Sequence, residues 1–248
     1  MHRSHISIQE WFWAAYLVAT HTPGISALQL QRQLGIGDYA TAWHLLHRLR
    51  KGMVNEQRTL ISGLIEADET IVGGPAKNRR GRGVSGAPHK TLVAGAVEVL
   101  VYQNESGQRR ERAGRVRLQI IPDASETSIG SFLKNNVEAG SRIRTDGWRG
   151  YSEAALAPYK HYVRIIDVPE HAHRKAPHIH RVFGNLKTWL AGTHHGVDPK
   201  YLQSYLDEYV FRFNRRNTPM AAFQTLLGIS AQKPPLPMQA LQHPESTP

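Results

Sequence analysis

The 248 residues carry 31 Lys and Arg against 20 Asp and Glu, a formal net charge of +11. A positive excess of that size repels itself unless it meets a polyanion, so nucleic acid is the first partner to consider. No cysteine is present, which excludes disulfide frameworks, thiolate zinc sites and cysteine nucleophiles, and no run approaches the roughly 18 apolar residues of a membrane span.

The chain opens on "SIQEWFWAAYLVAT", where Ser7 followed three residues later by Glu10 has the form of a capping box. No small-residue cleavage site follows, so the segment is predicted to be a buried helix of a cytoplasmic protein and not a signal peptide. Pro23-Gly24 breaks it. Next come "SALQLQRQLGI", with Leu28, Leu30 and Leu34 predicted toward one side, and "YATAWHLLHRLRKGM". In the latter Ala42, Leu45, Leu46 and Leu49 recur at helical intervals and leave Tyr39, Thr41, His44, His47, Arg48, Arg50 and Lys51 outside. Two short helices joined by a glycine turn, the second basic, form a helix-turn-helix candidate whose DNA contacts would come from Tyr39, Thr41, His44 and Arg48. An ordinary helical hairpin is the alternative.

From residue 61 the period becomes extended. Strands are predicted over 64–72, 91–102, 114–124, 141–148 and 161–167, with a helix over 125–138 capped by Ser125 and two closing helices over 178–192 and 200–214. Between the first two strands lies a glycine-rich basic loop with Lys77, Arg79, Arg80 and Arg82. The tail from Gln232 carries Pro234, Pro235, Pro237, Pro244 and Pro248 and lacks a core-forming pattern, so it is expected to be disordered. The predicted divisions are 1–58 for the helix-turn-helix region, 59–216 for the α/β domain and 217–248 for an extension. Three antiparallel strands, a helix, a further strand and then helices describe a ribonuclease-H-like mixed sheet flanked by helices, preceded by a small all-α domain.

Two aspartates stand out. Asp68 lies mid-strand in "EADET", where alternation puts Glu66 and Asp68 on one face and Glu69 on the other. Asp146, in "RTDGW", ends a short strand before Gly147, a place where ligands gather in α/β sheets and also where Asp-Gly simply makes turns. If the first and fourth strands are neighbours, both carboxylates enter one space and require a cation, for which Mg²⁺ suits oxygen ligands, with Mn²⁺ as the expected substitute. A pair of such ions serves phosphodiester chemistry.

"HAHRKAPHIHRVFGNLK" adds four histidines, His171, His173, His178 and His180. At roughly 100° per residue, Ile179, Val182, Phe183, Leu186 and Leu190 form the core arc, while His180, Gly184, Lys187 and Ala191 share another. Asn185 lies about 140° from His180, and His178 falls on neither arc. A zinc site is not expected, because no closed ligand set is visible. The second closing helix has a Leu202, Tyr205, Leu206, Tyr209 and Phe213 stripe flanked by Arg212, Arg215 and Arg216, which are expected to grip a DNA backbone or to be a plain solvated face.

Together "IEADETIVGG", "RTDGWRGY", "HIHRVFGNLKTWLAGTHHGV" and "YLDEYVFRFNRR", with the N-terminal segment, resemble the ISXO2-like transposases of the IS1595 insertion-sequence family, in the same order from about residue 7 to 216. The resemblance implies a DDE-type catalytic domain that acts on transposon ends and target DNA with Mg²⁺, as a homodimer in its active complex. Asp68 and Asp146 match the first two acids, His180 falls at the third position, and Lys187 matches the lysine that follows it. The family often has an N-terminal zinc ribbon built on cysteines, which these residues cannot form. His180 replaces a carboxylate with a nitrogen ligand, poorer for Mg²⁺. A catalytically inactive relative that only binds DNA, and a helix-turn-helix regulator, are the rival readings.

Overall fold

A computed structural model describes residues 5–73, 90–146, 148–163, 176–237 and 240–241. By compactness the chain divides into two units, the described parts of 1–57 with 188–248, and those of 58–187.

The second unit is built on a five-stranded sheet. Its strands are β1 (Leu64–Val72), β2 (Thr91–Gln103), β3 (Arg109–Ile120), β4 (Arg142–Thr145) and β5 (Lys160–Val163), in the order β3-β2-β1-β4-β5. The pairs β1–β2 and β2–β3 are antiparallel, whereas β1–β4 and β4–β5 are parallel. The sheet is therefore mixed, and β1 and β4 are direct neighbours. Both of its faces are covered. On one, Ile65, Ala67, Ala94 and Ala96 pack with Ile129, Phe132 and Leu133 of α4 (Glu126–Asn136). Ser125 caps that helix by accepting from the Ser128 backbone N–H at 3.3 Å. On the other lies α5 (Pro177–His194). Gly95 leaves room for that helix, since a Cβ on it would sit 2.7 Å from the Phe183 ring and 2.9 Å from Ile179. The third strand begins earlier than its apolar residues suggest. Its arginine-rich start pairs with the exposed end of β2, Tyr102 with Arg110 and Gln103 with Arg109.

The first unit is helical: α1 (Ile8–Thr20), α2 (Ala27–Leu34), α3 (Tyr39–Gly52), α6 (Leu202–Phe213) and α7 (Pro219–Ala231), with a short 3-10 turn, Pro199–Tyr201, leading into α6. The Ser7–Glu10 capping box is present. Gly35 ends α2 in the left-handed region at φ 68°, and Asp38 caps α3. These helices share one core with Phe211 of α6 and with Ala222 and Leu226 of α7, a helix inside the predicted extension that the sequence reading missed.

Three sequence expectations fail in this unit. Leu28 is exposed, while Leu30 is buried; residues two apart lie about 200° apart on a helix, so Ala27, not Leu28, joins the buried arc. His47 and Arg50 are buried rather than outside. The reason is α6, which covers that flank of α3 and supplies Glu208, whose carboxylate accepts from Arg50 Nε at 2.7 Å. Arg50 also lies 3.9 Å from the Tyr205 ring centroid, and His47 stacks at 3.8 Å on Trp43. Among the described residues no helix is long and apolar enough to cross a membrane.

Candidate active site

Strand alternation on β1 sorts its acids. Glu66 and Asp68 face α5, and Glu69 turns to the α4 side with Ile65 and Ala67. Asp68 Oδ1 accepts from the Glu69 backbone N–H at 2.8 Å, and Oδ2 lies 3.4 Å from His180 Nδ1. Burial pushes the Asp68 carboxyl up to about 6; His180 opposes this, and Asp146 and Glu66 add to it by repulsion. The α5 helix delivers His180 as its apolar arc dictates, since Ile179, Val182, Phe183, Leu186 and Leu190 are all buried.

Asp146 follows the last residue of β4. The register that pairs Glu66 with Arg144 places Asp68 and Asp146 each two residues further along their parallel strands. Its Oδ1 accepts from the Trp148 backbone N–H at 3.0 Å, so the turn-forming role is present alongside its charge. That charge reaches both Asp68 and Glu69. Gly147 itself lies outside the described residues.

Glu69 is a participant that sequence reasoning passed over. The Tyr151 hydroxyl donates to its Oε1 at 2.5 Å. Burial pushes its carboxyl up to about 7, against that hydrogen bond and with repulsion from Asp68 and Asp146. The signal was in the sequence as an Asp-Glu doublet, but alternation alone separates the two onto opposite faces.

Lys187 is exposed, as are Gly184 and Ala191 on the same arc, and among the described residues nothing lies within 4 Å of where a Gly184 Cβ would be. Asn185 is also exposed. His178, which falls on neither arc, is buried, and its Nε2 lies 3.8 Å from Glu111. Glu66 of β1 and Glu111 of β3 lie against the first turn of the helix.

Beneath Asp68 sits a second cluster. Glu66 Oε1 accepts from Arg144 Nη1 at 3.0 Å, and Arg144 Nη1 and Nη2 reach Glu111 at 3.2 and 3.3 Å. The Arg144 guanidinium holds the Glu111 carboxyl below its usual range. Glu66, Glu111 and His178 offer ligand atoms within 4.8 Å of one another, the one such trio among the described residues. Asp68, Asp146 and His180 do not form such a trio; the structure joins Asp68 to His180 and leaves Asp146 further off.

The expected DNA-facing residues divide. Tyr39 is exposed, and Thr41, His44 and Arg48 are half-buried, with Thr41 N and Oγ1 bonded to Asp38. Arg212 donates to the carbonyl oxygens of His21 and Thr22. Arg215 and Arg216 lie over the Phe211 and Phe213 rings, each 4.2 Å from the centroid, and Arg216 is exposed. Lys77, Arg79, Arg80, Arg82, His171 and His173 lie outside the described residues. An exposed basic surface not foreseen comprises Arg109, Arg110 and Arg112 on β3 beside Tyr102.

A family model of the ISXO2-like transposase domain matches residues 60–214. No curated protein matches the chain.

Proposed function

We propose, from the premise that this chain belongs to the ISXO2-like transposase family, that it binds the ends of a mobile DNA element and carries out hydrolysis and strand transfer at phosphodiesters. The observation that carries this reading is the Asp68–His180 pair, 3.4 Å apart at the β1–β4 junction with Asp146 close enough to repel Asp68.

A divalent cation fits these residues. The charges of Asp68, Asp146 and Glu69 reach one another, and the Asp68 and Glu69 carboxyls are pushed up by burial and by that repulsion. A dipositive charge relieves that repulsion. The 3.4 Å Nδ1–Oδ2 separation is also near the edge between neighbouring ligands of an octahedral ion, about 3 Å for Mg²⁺ bond lengths. Asp68, Asp146 and His180 would hold the ion, which supplies activation of the attacking oxygen and neutralisation of the leaving one.

The chain's own residues do the rest. His180, with Nδ1 toward Asp68, completes the site either as that ligand or as a proton handler. Lys187 binds a phosphate near the scissile bond, and the bare flank at Gly184 lets the backbone of DNA approach. The α2–α3 pair reads the element end through Tyr39, Thr41, His44 and Arg48. Arg215 and Arg216, and outside the described residues Lys77, Arg79, Arg80 and Arg82, contribute contacts to phosphate. The active complex is a homodimer on double-stranded DNA, in the bacterial cytoplasm at the nucleoid.

A DNA-binding relative without catalysis is the second reading. It is favoured by the imidazole in place of a third carboxylate and by Asp146 standing outside a three-ligand group. A nicking assay on end-sequence DNA with Mg²⁺ separates the two. Cleavage by the native protein and none by Asp68→Asn supports the transposase; binding without cleavage by both supports the relative.

A further inference from the structure

We infer that Glu66 is the positioning residue of this site, a buried carboxylate that fixes Asp68, Asp146 and His180 relative to one another; the inference rests on the functional reading above. Its Oε1 accepts from Arg144 Nη1 at 3.0 Å, and its Oε2 accepts from the backbone N–H groups of His178 at 2.7 Å and Ile179 at 3.1 Å. Every one of these contacts sits just ahead of a site residue. Glu66 is two residues before Asp68 on β1, Arg144 of β4 is two before Asp146, and His178 is two before His180 on α5. On a strand, a step of two returns to the same face, so the bond between Glu66 and Arg144 holds the strand ends that carry Asp68 and, one residue past β4, Asp146.

On the helix the carboxylate acts differently. The first turn of an α-helix has N–H groups without intrahelical partners, and its dipole favours a negative charge there. Glu66 meets both needs from another element, holding the first turn of α5 onto β1 and with it the ring of His180. The residue is fully buried and its two oxygens accept three hydrogen bonds.

Glu66, Glu111 and His178 have the residue types of a metal centre, but the cation of that cluster is already in place. Arg144 bonds to Glu66 and to both oxygens of Glu111, and a guanidinium stays charged at any working pH. The base of the site therefore stands on an organic cation, and the divalent ion belongs above it, at Asp68.

The test uses the intact chain, with Mn²⁺ binding followed by electron paramagnetic resonance and hydrogen exchange followed at the first turn of α5. In Glu66→Gln the amide offers one acceptor oxygen and a donor NH2, so either Arg144 or the helix loses its partner. Expected are Mn²⁺ binding weaker by about tenfold or more, as for other residues that orient metal ligands, and faster exchange at the His178 and Ile179 amides. Glu111→Gln removes the same charge but touches no helix amide, and should change both much less. Arg144→Lys keeps the charge and loses the fork, so it should also weaken Mn²⁺ binding and serves if Glu66→Gln does not fold. Equal losses in Glu66→Gln and Glu111→Gln, or unchanged exchange and Mn²⁺ affinity in Glu66→Gln or in Arg144→Lys, would overturn the inference. Native protein whose Mn²⁺ binding is insensitive to Asp68→Asn overturns the functional reading instead, and the exchange data identify which of the two has failed.

Discussion

Asp68→Asn should make the metal-free protein more stable while it removes the metal site. The carboxyl is 14% exposed and its pKa is pushed from 3.8 to about 6 by burial and by Asp146 and Glu66, net of His180. An acid whose folded pKa lies above its unfolded value destabilises the fold once it is ionised. The penalty is fully present above about 6, shrinks as pH falls through the folded pKa, and is gone below 3.8. Two pKa units correspond to about 3 kcal/mol at neutral pH, which is the upper bound on what a neutral isostere recovers. For a chain of this size that corresponds to a rise of about 2–4 °C in melting temperature per kcal/mol recovered. Thermal melts in a chelator at pH 7.5 and at pH 4 give the comparison: a higher midpoint for the variant at the first and near equality at the second. Added Mg²⁺ should then stabilise the native protein and leave the variant unmoved. A variant less stable than the native protein at pH 7.5 in chelator, or a difference that does not depend on pH, refutes the argument.

Three further outcomes are expected. His47 and His194 are buried and neutral, pushed down to about 2 and about 3 chiefly by burial; stability is therefore full above 6.5 and falls as pH drops below it, and His47→Leu should flatten the slope of urea stability against pH by about 1.4 kcal/mol per unit. Glu208→Gln strands the Arg50 guanidinium in the interior and should cost about 3–5 kcal/mol, most of which Arg50→Met with Glu208→Leu should restore in urea titrations. His180→Glu supplies the oxygen ligand that Mg²⁺ prefers, so cleavage assays should give it a lower Mn²⁺-to-Mg²⁺ activity ratio than the native protein, and an equal ratio means that His180 is no ligand.

What the sequence made legible is what has a period. Strand alternation put Asp68 and Glu69 on opposite faces of β1, and the helical period found the buried face of α5 and the arc that carries the exposed Lys187. The adjacency of β1 and β4, stated as a condition, is what the sheet shows, and the pair is parallel. Pairings between elements left no such trace. Arg50 and His47 looked solvated because nothing in α3 announces that Glu208 and Tyr205 of α6 lie against it. His178 looked idle because its partner, Glu111, sits in a strand whose basic residues gave no apolar pattern to follow.

The same limit explains why Glu66, placed on the Asp68 face, was given no partners and no role although it stands two residues from Asp68. An acid between Ile65 and Ala67 is a polar group in an apolar setting, and that much is visible in a sequence. Such a group is tolerated only when hydrogen-bonded. Of its three partners, one is a guanidinium on another strand and two are backbone amides at a helix start. Backbone amides are common to nearly every residue, so no side-chain pattern could point to them. A buried acid with no partner in its own element is therefore itself the signal: it implies that a helix end or a cation must be brought to it. In this fold both are brought, and each carries a site residue two positions further along.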